Sequence, residues 1–93
     1  MSHSEKIREA LKKASRMNIA VAELESYGLS VKTIQGLESK LGIIYVEQFL
    51  DISLDDLKRT KNLGPVAIQE ISKILDFLPL FILEKENENS NFV

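Results

Sequence analysis

The stretch from Thr60 to Ile71 constrains the fold of this protein more than any other, because a glycine turn is followed at once by proline. Gly64 can adopt backbone conformations that a β-carbon penalises. Pro65 lies at the first position of the predicted helix. Proline is tolerated there because the N–H group that it lacks would have no intrahelical acceptor. Apolar residues then recur at helical spacing, at Ile68, Ile71, Ile74 and Leu75. We therefore predict a sharp turn entering a helix, with outward N–H groups that suit a phosphate.

Four further motifs come before this turn, in the order Gly28–Leu37, Gly42-Ile43, Val46–Leu50 and Ser53–Leu57. With the turn, they resemble the C-terminal domain of the bacterial RNA polymerase α subunit. That family opens with Leu-Ser-Val-Arg-x-x-Asn-x-Leu, continues through a Gly-Ile link and two short helices, and closes with an Asn-Leu-Gly-Lys-Lys-Ser hairpin and a final helix. The resemblance covers roughly residues 24 to 78.

The resemblance implies an all-α fold: a compact bundle of four short helices with a helix-hairpin-helix motif. To this the sequence adds an N-terminal amphipathic helix. We divide the protein into an N-terminal helical extension (1–23), the polymerase-like domain (24–78), and an apolar patch with a disordered polar tail (79–93). The extension is predicted to be helical from Glu5 to Ala22 with Ser4 as its N-cap, and Pro79 is predicted to end the last helix.

Helix caps and core positions follow from the same pattern. Ser30 and Gly42 are expected to bound a helix over Val31–Leu41. A short helix is expected near Val46–Leu50, and Ser53 with Asp56 forms a near capping box for the next. The predicted core comprises Leu29, Ile34, Leu37, Leu41, Ile43, Phe49, Leu50, Leu54, Leu57, Leu63, Ile68, Ile71 and Leu75.

The resemblance also implies DNA contacts, which in the family come from an arginine and an asparagine on the first helix and from a lysine and a serine after the hairpin glycine. Lys32 and Gln35 occupy the two helix positions. Lys32 keeps the charge of arginine but lacks its planar fork. The candidate DNA-binding residues are Lys32, Gln35, Lys61, Asn62, Leu63 and Gly64.

Substitutions after the hairpin glycine predict weak binding to DNA. Pro65 and Val66 replace two lysines of the family, and Ala67 replaces the serine. Each lost phosphate contact lowers affinity and flattens its salt dependence. The net charge of −2 also differs from the basic character of most nucleic-acid binders. The turn could equally be a corner that packs two helices, and Lys32 and Gln35 an ordinary surface pair.

Composition argues against several other classes of protein. The sequence has no cysteine, so disulfides and thiolate metal sites are excluded. Ser30 and Ser53 are better explained as helix caps than as nucleophiles, and His3 has no companion ligand. We predict no enzyme activity, no metal and no cofactor. The longest apolar stretch is too short for a membrane span, so we expect a cytoplasmic protein.

Two functions remain open at this level. The first is a transcription-related module that binds DNA weakly through the minor groove and phosphate backbone. The second is a protein-interaction module on the same scaffold, which has lost the DNA surface and binds RNA polymerase or transcription regulators.

A basic N-terminal helix of this kind is more often a solvated face than a nucleic-acid arm. The patch from Leu80 to Leu83 is predicted to fold back on the domain, and if exposed would mark a partner surface or a homodimer.

Overall fold

The computed structural model describes residues 3–60 and 63–90, with side chains described as far as residue 88. These residues form only helices and connecting segments, apart from one isolated β-bridge, so the predicted all-α class is confirmed. In sequence order the elements are α1 (Glu5–Met17), a first 3-10 helix (Val21–Tyr27), α2 (Val31–Leu41), a second 3-10 helix (Val46–Asp51), α3 (Leu54–Lys58) and α4 (Pro65–Ser90).

Helix α1 is shorter than its hydrophobic spacing predicts. Its start is as expected, since the Ser4 side chain accepts a hydrogen bond from the Ile7 N–H at 3.3 Å. The expected continuation to Ala22 is wrong, because Asn18 adopts a left-handed conformation (φ 53°) that ends the helix. Asparagine tolerates this conformation better than most residues. The apolar residues after it therefore belong to a second, separate element.

A short antiparallel bridge follows this break and pairs Ala20 with Tyr45. The Val21 N–H donates to the Ile44 carbonyl at 2.9 Å, and the Val46 N–H donates to the Ile19 carbonyl at 2.9 Å. Each bond comes at the entrance of a 3-10 helix. The bridge thus fixes the starts of the two 3-10 helices relative to each other.

The central elements agree with their predicted caps. The Ser30 side chain accepts from the Thr33 N–H at 3.3 Å, and Gly42 ends α2 with φ 67°. The short helix near Val46 is a 3-10 helix that extends one residue beyond its predicted end. Ser53 and Asp56 form the capping box of α3, with each side chain accepting from the other residue's N–H.

Helix α4 does not end at Pro79 but continues through it to Ser90. The predicted end before the proline is therefore wrong. Residues 84–90 of the polar tail continue the helix, and residues 91–93 lie outside the described residues. Proline removes one helical hydrogen bond, but Phe81 and Ile82, just beyond it, are each only 1% exposed. Burying two such side chains contributes roughly 3–6 kcal/mol, which is enough to offset the roughly 3 kcal/mol that a proline inside a helix typically costs.

A single cluster of buried apolar side chains runs through the molecule and includes residues from every element. Helix α1 packs against α4 and the second 3-10 helix, α2 against the first 3-10 helix, and α3 against α4. The predicted core is correct except that Leu41, Leu50, Leu54 and Ile68 are only half-buried and pack against the cluster. The division of the protein after residues 23 and 78 remains a prediction.

His3 has a structural role that sequence reasoning missed. Its Nε2 lies 2.8 Å from the Phe49 carbonyl oxygen and 2.9 Å from that of Ile52. It therefore holds the segment before α1 against the end of the second 3-10 helix.

Within the ranges described, no helix combines the length and the apolar character that crossing a bilayer requires.

Candidate nucleic-acid interface

The turn between α3 and α4 is held from both sides by backbone hydrogen bonds. The Leu63 N–H donates to the Thr60 carbonyl at 3.3 Å, and the Ile68 N–H donates to the Gly64 carbonyl at 3.1 Å. The Leu63 side chain is 8% exposed and belongs to the core cluster. Two predicted contact residues, Lys61 and Asn62, lie outside the described residues.

Gly64 does not use the backbone freedom that glycine provides. Its φ lies outside the left-handed region, and a β-carbon at this position would meet no atom within 4 Å. The expectation of a conformation closed to other residues is therefore wrong for Gly64. Among the described residues, positive φ at glycine occurs at Gly28 and Gly42. The turn is instead shaped by the Leu63 anchor and by the start of α4 at Pro65.

The turn packs beside another glycine, on α2. A β-carbon on Gly36 would lie 3.4 Å from Cδ2 of Leu63, an ordinary contact distance, so the leucine lies against α2 at this position. Sequence reasoning missed this role. The available indication was a glycine inside a helical pattern, which costs stability and often has a packing reason.

A groove of about 370 Å³ runs between α2 and the start of α4. Lys32 lines it from the α2 side, while Leu63 and Gly64 line it from the turn. The structure thus brings together three of the predicted contact residues. Gln35 is exposed on α2 but does not line the groove.

The supply of backbone donors at the turn is limited. The Leu63 N–H already donates within the turn, and Pro65 has no N–H group. In the first turn of α4, the N–H groups of Val66 and Ala67 lack an intrahelical partner, and both residues line the groove together with Gly64, which precedes the helix. A phosphate bound here would meet those two groups and the Lys32 ammonium.

Glu70 lines the same groove and places a carboxylate beside the start of α2. Its Oε1 accepts a hydrogen bond from the Ser30 N–H at 2.8 Å. This backbone bond, aided by the hydroxyl groups of Ser30 and Thr33, lowers the pKa of Glu70 below its ordinary value despite some burial. Sequence reasoning missed Glu70, because nothing in the pattern shows that it faces Ser30. Among the residues that the structure describes, the lining of the groove therefore contains one lysine and one carboxylate.

Comparison with known proteins agrees with the order of these elements. Residues 5–76 match the family model for the C-terminal domain of the bacterial RNA polymerase alpha subunit. The protein belongs to this family. The match begins at Glu5, the first residue of α1, so the matched region includes the helix that the sequence analysis set apart as an N-terminal extension. It ends within α4, three residues before Pro79.

Relatives with similar sequence carry the same family name. The DNA-directed RNA polymerase α subunits of two strains of Clostridium kluyveri are each 32% identical to this protein over 82 residues. Those alignments cover 88% of this protein and 24% of the relatives, so it spans about a quarter of the length of the subunits it matches. No solved structure shows significant similarity to it. The family places it in a transcription-related context.

Proposed function

We propose that this protein is a DNA-binding module of the transcription apparatus, which contacts the minor groove and phosphate backbone weakly. The observation that supports this proposal is the shared groove, in which Lys32 of α2 faces the turn residues Leu63 and Gly64. In the proposal Lys32 and Gln35 approach the minor groove, and the start of α4 meets a phosphate. Lys61 and Asn62 remain proposed contacts. Such a role would place the protein in the cytoplasm, together with RNA polymerase.

Low affinity follows from the charge balance of the groove. Lys32 is the cation among its lining residues, and the Glu70 carboxylate opposes it. Pro65, Val66 and Ala67 add apolar surface but no side-chain donors. Because affinity for DNA rises with the number of phosphates neutralised, few contacts predict weak binding with a shallow salt dependence.

A fluorescence-anisotropy titration with an A·T-rich duplex at two salt concentrations tests the proposal. We expect saturable binding in the micromolar range that weakens with salt. Lys32→Ala should weaken it and reduce the slope of log K against log salt by about 1. Lys40→Ala is the matched control, because Lys40 is an exposed lysine of the same helix that does not line the groove.

A second candidate function is protein interaction on the same scaffold, with RNA polymerase or a transcription regulator as partner. The apolar lining at Pro65, Val66 and Ala67 and the Glu70 carboxylate favour this alternative. Absence of duplex binding at high micromolar protein, together with recovery of polymerase or a regulator in a pull-down, would replace the DNA proposal. If Lys32→Ala and Lys40→Ala weakened DNA binding equally, the groove would not be the DNA-binding site.

A further inference from the structure

One face of α4 is exposed along most of the helix and repeats with the spacing of a coiled coil. Its members alternate three and four residues apart, which keeps them on one side of the helix. We call this face the α4 stripe; it consists of Val66, Gln69, Lys73, Asp76, Leu80 and Leu83. The apolar members are well exposed, at 68% for Val66, 58% for Leu80 and 52% for Leu83. The predicted fold-back of the Leu80–Leu83 patch therefore holds for Phe81 and Ile82, which are buried, and not for the two leucines.

The α4 stripe is complementary to itself when a second copy lies antiparallel across it. In that register each apolar end meets an apolar end, and the two central charges meet opposite charges. The pairs, each occurring twice by symmetry, are Val66 with Leu83, Gln69 with Leu80, and Lys73 with Asp76. We propose that the α4 stripe is a homodimer interface in which two copies of α4 pack antiparallel in this register.

The central charges are available to pair between copies. Lys73 and Asp76 are exposed, and neither takes part in an ion pair among the residues that the structure describes. The ion pairs that hold α4 within one molecule join Lys13 to Glu86 and Lys85 to Glu23. Those pairs involve the last turns of α4, beyond the α4 stripe, so dimer formation need not break them.

Two grooves lie along one side of the α4 stripe, one near each end. The first, of about 580 Å³, lies between α3 and α4 and is lined by Leu54, Pro65 and Ile68 among others. The second, of about 190 Å³, lies between α1 and α4 and includes Ile82 and Leu83. An antiparallel second copy brings its own Leu83 to the first groove and its Val66 to the second. The first groove is lined mainly by apolar residues, whereas the second combines apolar residues with charged ones that include Lys13 and Glu86. In this register each groove lies next to an incoming apolar side chain.

The size of the contact predicts a weak, concentration-dependent dimer. The α4 stripe from Val66 to Leu83 extends about 26 Å at 1.5 Å per residue. A single pair of helices of this length buries less surface than a standard protein–protein interface. We therefore expect monomer at low micromolar concentration and dimer at high micromolar concentration.

Sedimentation equilibrium over that concentration range provides the first test. Wild-type protein should show a monomer–dimer equilibrium, and Leu80→Glu should raise its Kd by about tenfold or more. Lys73→Glu alone places two acidic groups opposite each other, and Asp76→Lys alone places two basic groups opposite each other. Each should weaken the dimer, whereas Lys12→Glu, an exposed charge reversal on α1, should not.

Mixing the two charge variants gives the decisive result. In a mixed pair, Glu at position 73 of one copy faces Lys at position 76 of the other, and the native Asp76 faces the native Lys73. Two variants that each dimerise more weakly than the wild type alone should therefore form a heterodimer at close to the wild-type Kd. Circular dichroism should show that each variant is folded, as expected for changes at exposed positions. A monomeric wild type at every concentration, or no association on mixing, would overturn the proposal.

Discussion

At the scale of single residues, the pair of Glu70 and Ser30 connects the start of α2 to α4. Ser30 uses its side chain to cap α2 and its own N–H to bind the Glu70 carboxylate. A carboxylate near a helix N-terminus is also favoured by the helix dipole. The position of Lys32, two residues into α2, therefore depends on a residue of α4. Glu70 thus orients the groove even though its charge opposes a phosphate.

This pair gives a pH dependence to stability whose sign follows from its pKa. The pKa of Glu70 is lower in the folded protein than its ordinary value, chiefly because the Ser30 N–H binds the charged form. Its contribution is therefore present at neutral pH and is lost as pH falls through the folded pKa. Urea unfolding at pH 7 and at stepwise lower pH should show this loss in the wild type. In Glu70→Gln this loss of stability at low pH should be absent. If the variant had the same pH profile as the wild type, Glu70 would not be the residue responsible.

At the scale of elements, α4 shows how burial overrides a local helix breaker. The sequence places Pro79 in the middle of an apolar run, and the local rule ends a helix before proline. The residues on both sides face the core, with Leu78, Phe81 and Ile82 each 1% exposed. Tertiary packing thus stabilises a helical segment that propensity alone disfavours.

Two neighbouring substitutions test whether the helix beyond Pro79 contributes to stability. Phe81→Ala should lower the free energy of unfolding by about 3–5 kcal/mol, because it leaves a cavity in the core. Leu80→Ala, its adjacent and exposed control, should change it by no more than about 0.5 kcal/mol. Urea titrations at low protein concentration, where the protein is monomeric, measure both. Similar small effects for the two would mean that this half of α4 is not packed.

The elements that could be predicted from the sequence are those whose determinants are local. Ser30, Ser53 and Gly42 act at caps, and their effect depends on neighbours within a few residues. The errors occur where distant contacts are involved: after Asn18 the chain bonds to Ile44 and Val46 in a β-bridge instead of continuing α1, and α4 passes through Pro79 where Phe81 and Ile82 are buried. In the candidate site, Lys32 and the turn could be predicted from motif order. Glu70 and Gly36 could not, since each acts through a residue far away in the sequence.

At the scale of the whole molecule, α1 is part of the fold and not an arm. Ala10, Leu11 and Ala14 are buried in the same cluster as the buried residues of α4 and the second 3-10 helix. The salt bridge from Lys13 to Glu86 spans 3.4 Å between the first and last helices, though an exposed pair of this kind adds little stability. The basic residues of α1 therefore sit on a fixed surface.

Leu11→Ala should consequently destabilise the entire molecule and not only its first helix. The expected loss is about 2–5 kcal/mol for a fully buried leucine. Far-UV circular dichroism and the fluorescence of Tyr27 and Tyr45 should report the same shifted transition, since a small domain with one core unfolds as a unit. Two separate transitions, with the tyrosine signal unmoved, would show that α1 folds independently of the rest.

The proline within α4 has a further consequence for how the helix moves. Because Pro79 has no N–H group, the carbonyl of Leu75 lacks the helical donor that would normally lie four residues on. The two halves of α4 thus meet where one backbone hydrogen bond is missing. The turn to α3 lies on one side of this point and the contact with α1 on the other. Phe81 and Ile82, just beyond this missing bond, are buried, so we expect opening of the last turns to stop at these packed residues and not to reach the end of α4 that faces α2.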